Sequence, residues 1–166
     1  MAASNRLERM IDRLNAQRNC LALAIELTTG LPGPVIEFGL GKGRTYDFLR
    51  TRLPERAIFV FDREIHCPAD CLPPPERLLL GDFRDTVPDA LARIGEPAAL
   101  LHFDVGSGDL EADAALVAWL APAAAPLARR GAVVVADRAM TVAGWRELAL
   151  DPGTGDGAHF VYRVER

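Results

Sequence analysis

Residues 34–45 read Pro-Val-Ile-Glu-Phe-Gly-Leu-Gly-Lys-Gly-Arg-Thr, a short apolar segment that runs directly into a loop with three glycines. The apolar half is typical of a buried β-strand, and a helical pattern follows over about 44–53. Glycines after a strand let the backbone turn tightly and approach a ligand, because no Cβ is in the way. This stretch therefore predicts an α/β fold with a ligand-binding loop after its first strand.

The middle of the chain alternates apolar strands with helices. Further strands are predicted at 57–61, 77–80, 98–103 and 132–136. Helices are predicted within 110–128 and up to about residue 94, the latter begun by a cap pair of Thr86 and Asp89. Strands that are apolar throughout indicate a mostly parallel, doubly wound sheet with both faces covered.

The C-terminal end is predicted to be shortened. After the fifth strand we expect only a short helix near 142–148, a glycine-rich turn at 152–157 and one last strand at 159–164. A sheet that ends on one unpaired strand exposes backbone groups that can pair with another chain. A homodimer through this edge is therefore an expectation.

The N-terminal segment is predicted to form a helix over 5–28, with Asn5 and Glu8 as its capping pair. Its apolar stripe is interrupted at Gln17 and Arg18, where the helical spacing calls for apolar residues. Two interpretations are open. Either the helix leaves the core for one turn, or these two side chains face a polar pocket.

Acidic residues stand in or directly after the five predicted strands. Parallel sheets bind their ligands outside the carboxyl ends of the strands, so these positions are the candidate site. The acids are Glu37, Asp62, Asp82, Asp104 and Asp137.

The glycine spacing excludes two common phosphate-binding loops. A P-loop would need a Ser or Thr after Lys42, where this chain has Gly43. A dinucleotide fingerprint would need glycine at position 44, which is Arg44. The spacing is G-x-G-x-G, with Glu37 two residues before the first glycine. This pattern resembles motif I of the class I S-adenosylmethionine (SAM)-dependent methyltransferases, and the resemblance covers about residues 34–137.

The resemblance implies a Rossmann-like fold, SAM as cofactor and S-adenosylhomocysteine (SAH) as product. In that family the glycine loop packs against the methionine and ribose parts of SAM, and the preceding acid interacts with its amino end, often through water. The acid after the second strand binds both ribose hydroxyls, and the Gly-Asp pair after the third lies at adenine. The implied cofactor-binding residues are Glu37, Phe38, Gly39, Leu40, Gly41, Gly43, Asp62, Arg63, Gly81, Asp82, Phe83 and Asp104.

The chemistry agrees with this resemblance. One carboxylate can accept hydrogen bonds from both hydroxyls of a ribose. SAM carries an ammonium and a sulfonium but no phosphate, so acidic strand ends suit it. Lys42 and Arg44 either meet its carboxylate or point to solvent, and for Lys42 solvent is the favoured interpretation. The whole chain, 1–166, is then one SAM-binding domain with a helical cap (1–30), a cofactor-binding core (34–137) and a C-terminal helix and strand (138–166).

Methyl transfer depends mostly on positioning the two partners, so the acceptor leaves little trace in a sequence. Asp104 and Asp137 are the candidate catalytic residues. A small-molecule acceptor is expected, because signature motifs of nucleic-acid methyltransferases are missing and the net charge is −4. The alternatives are a non-catalytic SAM-binding or regulatory protein and a nicotinamide oxidoreductase.

A cation-dependent catechol-type O-methyltransferase is a further alternative. In that family an aspartate after the fourth strand and an Asp-Asn pair after the fifth hold Mg²⁺. Asp104 and Asp137 match, but Arg138 replaces the asparagine. Because an arginine brings positive charge beside a hard cation, no metal site is expected.

Composition predicts a cytoplasmic protein. The polar N-terminus resembles no signal peptide, and the longest apolar stretch, 114–128, is too short to span a membrane. Three cysteines favour free thiols over disulfides. Cys67 and Cys71, next to His66, are interpreted as incidental thiols of a proline-rich loop. His102 is interpreted as a core histidine, and His159 as packed on the last strand.

Overall fold

A computed structural model describes residues 5–155 and 159–166. Its centre is a seven-stranded sheet in the order β3-β2-β1-β4-β5-β7-β6. The strands are β1 (Val35–Phe38), β2 (Ile58–Asp62), β3 (Leu78–Leu80), β4 (Ala98–Phe103), β5 (Ala128–Ala136), β6 (Trp145–Glu147) and β7 (Phe160–Val164). The first five are parallel, and β7 runs antiparallel to both β5 and β6. The predicted mostly parallel sheet is confirmed, and its order reverses between β1 and β4.

Helices cover both faces of this sheet. They are α1 (Arg6–Leu27), α2 (Arg44–Arg52), α3 (Phe83–Thr86), α4 (Ala90–Ile94) and α5 (Leu110–Ala124). α1 and α2 pack on one face, over a core that includes Val35, Val60 and Val133. α3, α4 and α5 cover the other, where Phe38, Phe61 and Phe103 lie next to one another.

Helix α1 confirms the predicted N-terminal helix and its capping box of Asn5 and Glu8. Its inner half is packed on the sheet, with Gln17, Cys20 and Leu21 among the buried residues. Its outer half is exposed, although Leu7, Met10 and Ile11 continue the apolar stripe. Of the two residues that interrupt the stripe, Gln17 is buried against polar groups, whereas Arg18 is exposed and contacts the neighbouring Asn19. The polar-pocket interpretation is right for Gln17 and wrong for Arg18.

The segment after β3 forms two short helices instead of one. Asp82 caps α3 by accepting a hydrogen bond from the backbone of Arg84, and Asp89 precedes α4 without a side-chain cap bond. The predicted cap pair at Thr86 is therefore wrong. Pro88 lies between the helices, and a proline has no N–H with which to continue α3.

The predicted helix near 142–148 is also wrong, because Trp145–Glu147 forms β6. It pairs antiparallel with β7, so the expected single last strand is a two-strand hairpin. Residues 137–144, between β5 and β6, are all described and contain no helix. The predicted shortening of the C-terminal end is limited to this missing helix. Residues 156–158 of the predicted glycine-rich turn, and residues 1–4 of the predicted cap, lie outside the described residues.

Within the described residues, Leu110–Leu127 is long and apolar enough to cross a membrane by length and composition alone. This segment is mostly α5, which supplies Val117, Leu120 and Ala121 to the core. A core helix passes the same test, so the segment is weak evidence for a membrane span.

Candidate functional site

The glycine loop after β1 lies against the end of β4. Gly39 has a φ of +93°, a left-handed conformation that favours glycine. A β-carbon at this position would lie 2.9 Å from the carbonyl carbon of Asp104 and would collide with its oxygen. Glycine at position 39 is therefore required for both the turn and the close approach of the two strand ends.

Asp62, at the end of β2, holds the glycine loop. Its Oδ2 accepts hydrogen bonds from the backbone N–H groups of Leu40 (2.7 Å) and Gly41 (3.1 Å). Its Oδ1 accepts from Arg63 (2.6 Å) and, at 3.4 Å, from Glu64. An ionised carboxylate has about four lone-pair sites. These four backbone donors already use that capacity, so Asp62 is a structural tie, and binding both ribose hydroxyls as predicted requires some of these hydrogen bonds to be released.

Two adjoining clefts open at the carboxyl edge of the sheet. The outer cleft has a volume of about 520 Å³ and is lined by acidic residues, Asp62, Asp82 and Asp113 among them. The inner cleft, about 190 Å³, lies between the glycine loop and α1. Both clefts are lined by Gly39, Gly41, Asp104 and Gly106.

Most of the predicted cofactor residues line these clefts: Gly39, Leu40, Gly41, Asp62, Arg63, Asp82, Phe83 and Asp104. Four do not, namely Glu37, Phe38, Gly43 and Gly81, and neither does Asp137. The ring of Phe38 belongs to the aromatic core, stacked on Phe103 with ring centres 4.6 Å apart.

Helix α1 completes the wall of the inner cleft. The side-chain amide of Gln17 donates a hydrogen bond to Asp104 Oδ2 (2.8 Å), and Arg13 Nη1 lies 3.9 Å from Asp104 Oδ1. In the sequence, only the interruption of the apolar stripe of α1 indicates that Gln17 faces a polar pocket. Arg13, Leu14 and Thr45 line the same cleft and carry no comparable signal in the sequence.

The sequence profile of a family described as S-adenosyl-L-methionine methyltransferase matches residues 4–164. The chain belongs to this family. The predicted family, the methyltransferase activity and the SAM cofactor are therefore confirmed. No curated protein matches this chain.

Solved structures agree with this assignment. An S-adenosyl-L-methionine methyl transferase from Silicibacter pomeroyi DSS-3 is 41% identical, with a TM-score of 0.91, over 98% of this chain and 99% of that one. Human methyltransferase-like protein 13 in complex with SAH is 15% identical, with a TM-score of 0.57, over 99% and 83%. The antibiotic-resistance methyltransferase Kmr is 13% identical, with a TM-score of 0.55, over 99% and 95%. The last two share the fold alone.

Arg138 pairs with two acids near the outer cleft of the methyltransferase. Its guanidinium binds both carboxylate oxygens of Asp137 (3.2 and 3.1 Å) and lies 3.5 Å from Asp113. Burial raises the pKa of Asp113, but hydrogen bonds from Ser107 and Gly108, together with Arg138, outweigh it and hold the pKa below its usual value. Asp113 thereby fixes the loop after β4, because it accepts from both the backbone N–H and the hydroxyl of Ser107.

These residues do not fit a catechol-type Mg²⁺ site. Asp137 is already paired with a guanidinium, which stands where that family has a neutral ligand. Among the described residues, no group of three His, Cys, Asp or Glu side chains is placed to hold a metal ion.

We expect Mg²⁺ to leave the melting temperature of the methyltransferase unchanged, because Arg138 already balances the charge of Asp137. The measurement is a thermal melt with EDTA and then with excess MgCl₂, with and without SAH. Mg²⁺-dependent stabilisation that disappears in Asp137→Asn would contradict this expectation and favour the catechol-type mechanism.

A buried polar group lies behind the glycine loop. Glu37 is fully buried, and its Oε1 accepts a hydrogen bond from the Thr45 hydroxyl and lies 3.2 Å from His102 Nδ1. Burial lowers the pKa of His102, but Glu37, with Asp104 and Asp137 beyond it, raises the pKa above its usual value. His102 is a core histidine as expected, satisfied at Nδ1, while its Nε2 has no partner among the described residues.

His159 lies directly before β7 and is also buried. Burial lowers its pKa to about 4, and the neighbouring His102 acts in the same direction. His159 is therefore neutral at pH 7, and it lies one residue before the last strand, on which it was expected.

Proposed function

We propose that this methyltransferase transfers the methyl group of SAM to a small-molecule acceptor at Asp104. The supporting observation is that two clefts of different charge meet at this residue. Four carboxylates, those of Asp62 and Asp82 among them, line the outer cleft against two guanidinium groups, Arg63 and Arg84. Three basic side chains, Arg13, Lys42 and Arg44, line the inner cleft against the carboxylate of Asp104. SAM has a ribose diol at one end and an amino-acid carboxylate at the other, and it matches this arrangement.

In this orientation adenosine occupies the outer cleft, with Asp62 at the ribose and Asp82 and Phe83 at adenine. The methionine end occupies the inner cleft, where its carboxylate meets the three basic side chains. Its ammonium lies at Asp104, whose carboxylate is oriented by Gln17. The sulfonium then lies at the wall that both clefts share, and the acceptor must reach that point.

The size of the clefts supports a small acceptor. Even together they stay within the roughly 300–1,000 Å³ typical of a site for one small ligand. Little room is left for an acceptor once SAM is bound. The net charge of −4 also provides no basic field for a nucleic acid.

The test is transfer of a labelled methyl group from SAM into a cell extract, followed by separation into small molecules, RNA and protein. We expect label in the small-molecule fraction, much less of it with Asp62→Ala at limiting SAM, and none with heat-inactivated enzyme as the control for background. Label confined to RNA or protein would contradict the proposed acceptor class. No label and no SAH in any fraction would favour the non-catalytic alternative.

Ligand selectivity gives an independent prediction. A ligand at a hundred times its Kd stabilises a protein by about 2.7 kcal/mol, and a domain of this size shifts by about 2–4 °C per kcal/mol. SAH should therefore raise the melting temperature by roughly 5–10 °C at that concentration. NADH and ATP should have no effect. A shift with NADH and none with SAH would contradict the cofactor placement.

The compartment and the oligomeric state stay predictions. No disulfide joins Cys20, Cys67 and Cys71, which supports the prediction of a cytoplasmic protein. The edge at which a homodimer would form is β6, a strand of three residues. Short edge strands limit pairing with other chains, so the support for a dimer at this edge is weak.

A further inference from the structure

We infer that Glu37 acts on the cofactor indirectly, as a positioning residue that holds the glycine loop through Thr45. The resemblance to other class I methyltransferases implies instead that this acid interacts with the amino end of SAM. The inference rests on the proposed placement of the cofactor in the two clefts.

Glu37 is enclosed on all sides. It lies in β1, the middle of three paired strands, opposite Val60 of β2 and His102 of β4. Its side chain is 0% exposed, and it lines neither the outer nor the inner cleft. The ammonium of a ligand in the inner cleft therefore meets Asp104 rather than Glu37.

The hydrogen bond from Thr45 to Glu37 has a structural purpose at the start of α2. A helix leaves its first N–H groups without partners, and a Ser, Thr, Asp or Asn side chain at the N-cap usually satisfies one of them. The N-cap of α2 is Gly43, in a left-handed conformation with a φ of +76°, and it has no side chain to offer. The Thr45 hydroxyl on Glu37 satisfies no backbone N–H, but it ties the first turn of α2 to the sheet.

The glycine loop is thus held by a carboxylate at each end. Asp62 accepts from the N–H groups of Leu40 and Gly41 at the upstream end. Glu37 holds Thr45 at the downstream end, two residues after Gly43. Thr45 also lines the inner cleft, so a change in its position reaches the bound cofactor.

Pairing with His102 explains how the carboxylate of Glu37 can be buried in the sheet. A fully buried carboxylate is costly unless it is paired and hydrogen-bonded. The ring of His102, also 0% exposed, supplies that partner to Oε1 through Nδ1, while Oε2 has no hydrogen-bond partner among the described residues. The three side chains form one unit in which only Thr45 reaches the ligand cleft.

The test compares two ligands on matched variants. SAH carries the amino-acid end, whereas 5′-methylthioadenosine keeps the adenosine and the thioether but lacks it. The variants are Glu37→Gln, Thr45→Val, their double variant, and Thr45→Ser as the control that keeps the hydroxyl. Calorimetry gives the Kd of each ligand, and a thermal melt shows which variants are folded.

We expect Thr45→Val, which removes the hydrogen bond to a charged group, to weaken SAH and 5′-methylthioadenosine by the same factor, about tenfold. Glu37→Gln keeps an oxygen that can accept from Thr45 and loses only the charge, so it should weaken both ligands equally and by less than Thr45→Val. The double variant should bind no more weakly than Thr45→Val alone, because Glu37 acts on the loop through this hydroxyl. Thr45→Ser should bind like the wild type. If Glu37→Gln does not fold, the test is the difference in Kd for 5′-methylthioadenosine between Thr45→Val and Thr45→Ser.

A different pattern would overturn the inference. If Glu37→Gln weakened SAH and left 5′-methylthioadenosine unchanged, Glu37 would contact the ammonium directly. Equal binding by Thr45→Val and the wild type would equally exclude a role for the hydroxyl. A wild type that bound neither ligand would overturn the cofactor placement itself, and the inference with it.

Discussion

Gly39→Ala should lower the melting temperature by roughly 5–20 °C and remove measurable SAH binding. A left-handed conformation costs an alanine roughly 1–2 kcal/mol, and overpacking adds about 1–3 kcal/mol. Both apply at Gly39, because its φ is +93° and a β-carbon would collide with the backbone of Asp104. The collision involves main chain on both sides, so no side-chain rotation relieves it.

Gly41→Ala is the matched control. Gly41 lies in the same loop with a φ of +49°, but nothing lies within 4 Å of a β-carbon at this position. Only the backbone penalty remains, so the melting temperature should fall by roughly 2–8 °C. Thermal melts of both variants without ligand make the comparison. Equal shifts would show that the strand ends at Gly39 and Asp104 are not in close contact.

Asp62→Ala should weaken SAH binding by roughly 10- to 100-fold or more, the effect of losing hydrogen bonds to a charged group. The sequence alone suggests that the stability of the free protein would hardly change. The structure corrects this, because Asp62 accepts hydrogen bonds from the backbone of Leu40, Gly41 and Arg63. The melting temperature of the free protein should therefore fall as well.

Affinity and stability then change together, and a second comparison has to isolate the ribose contact. The 2′-deoxy analogue of SAH lacks one of the two hydroxyls. The wild type should bind it about tenfold more weakly than SAH, whereas Asp62→Ala should bind both alike. Calorimetry on the four combinations measures this coupling. If replacing SAH by its 2′-deoxy analogue lowered the affinity by the same factor in both proteins, Asp62 would support the loop and not bind the ribose.

The core of the fold could be predicted because its strands are apolar throughout. Such strands need helices on both faces, and this requirement determines the architecture without any knowledge of the packing. β6 could not be found in this way. It has three residues, of which Arg146 and Glu147 are exposed, so it carries no hydrophobic period and is defined by its pairing with β7.

The residues of the candidate site also divide into those that local sequence predicts and those that only the packing places there. The glycine spacing and the acids at strand ends are local features, and they predicted Gly39, Gly41, Asp62 and Asp82 as lining residues. Arg13 and Thr45 reach the inner cleft through the packing of α1 and the path of the loop. Sequence spacing also could not show that Glu37 is enclosed by its neighbouring strands, because in the sequence it is only an acid before a glycine.

The two carboxylates that hold the glycine loop have a kinetic consequence. A loop that is ordered before the ligand arrives costs no ordering entropy on binding. Cofactor association is then expected to be fast and to occur in one step, since a required conformational change is what slows association. Stopped-flow traces of the wild type should show a single phase whose rate rises linearly with ligand concentration. Loss of either tie should add a second, concentration-independent phase. The association rate of the cofactor then depends on two side chains, Asp62 and Glu37, that are fixed before any ligand is present.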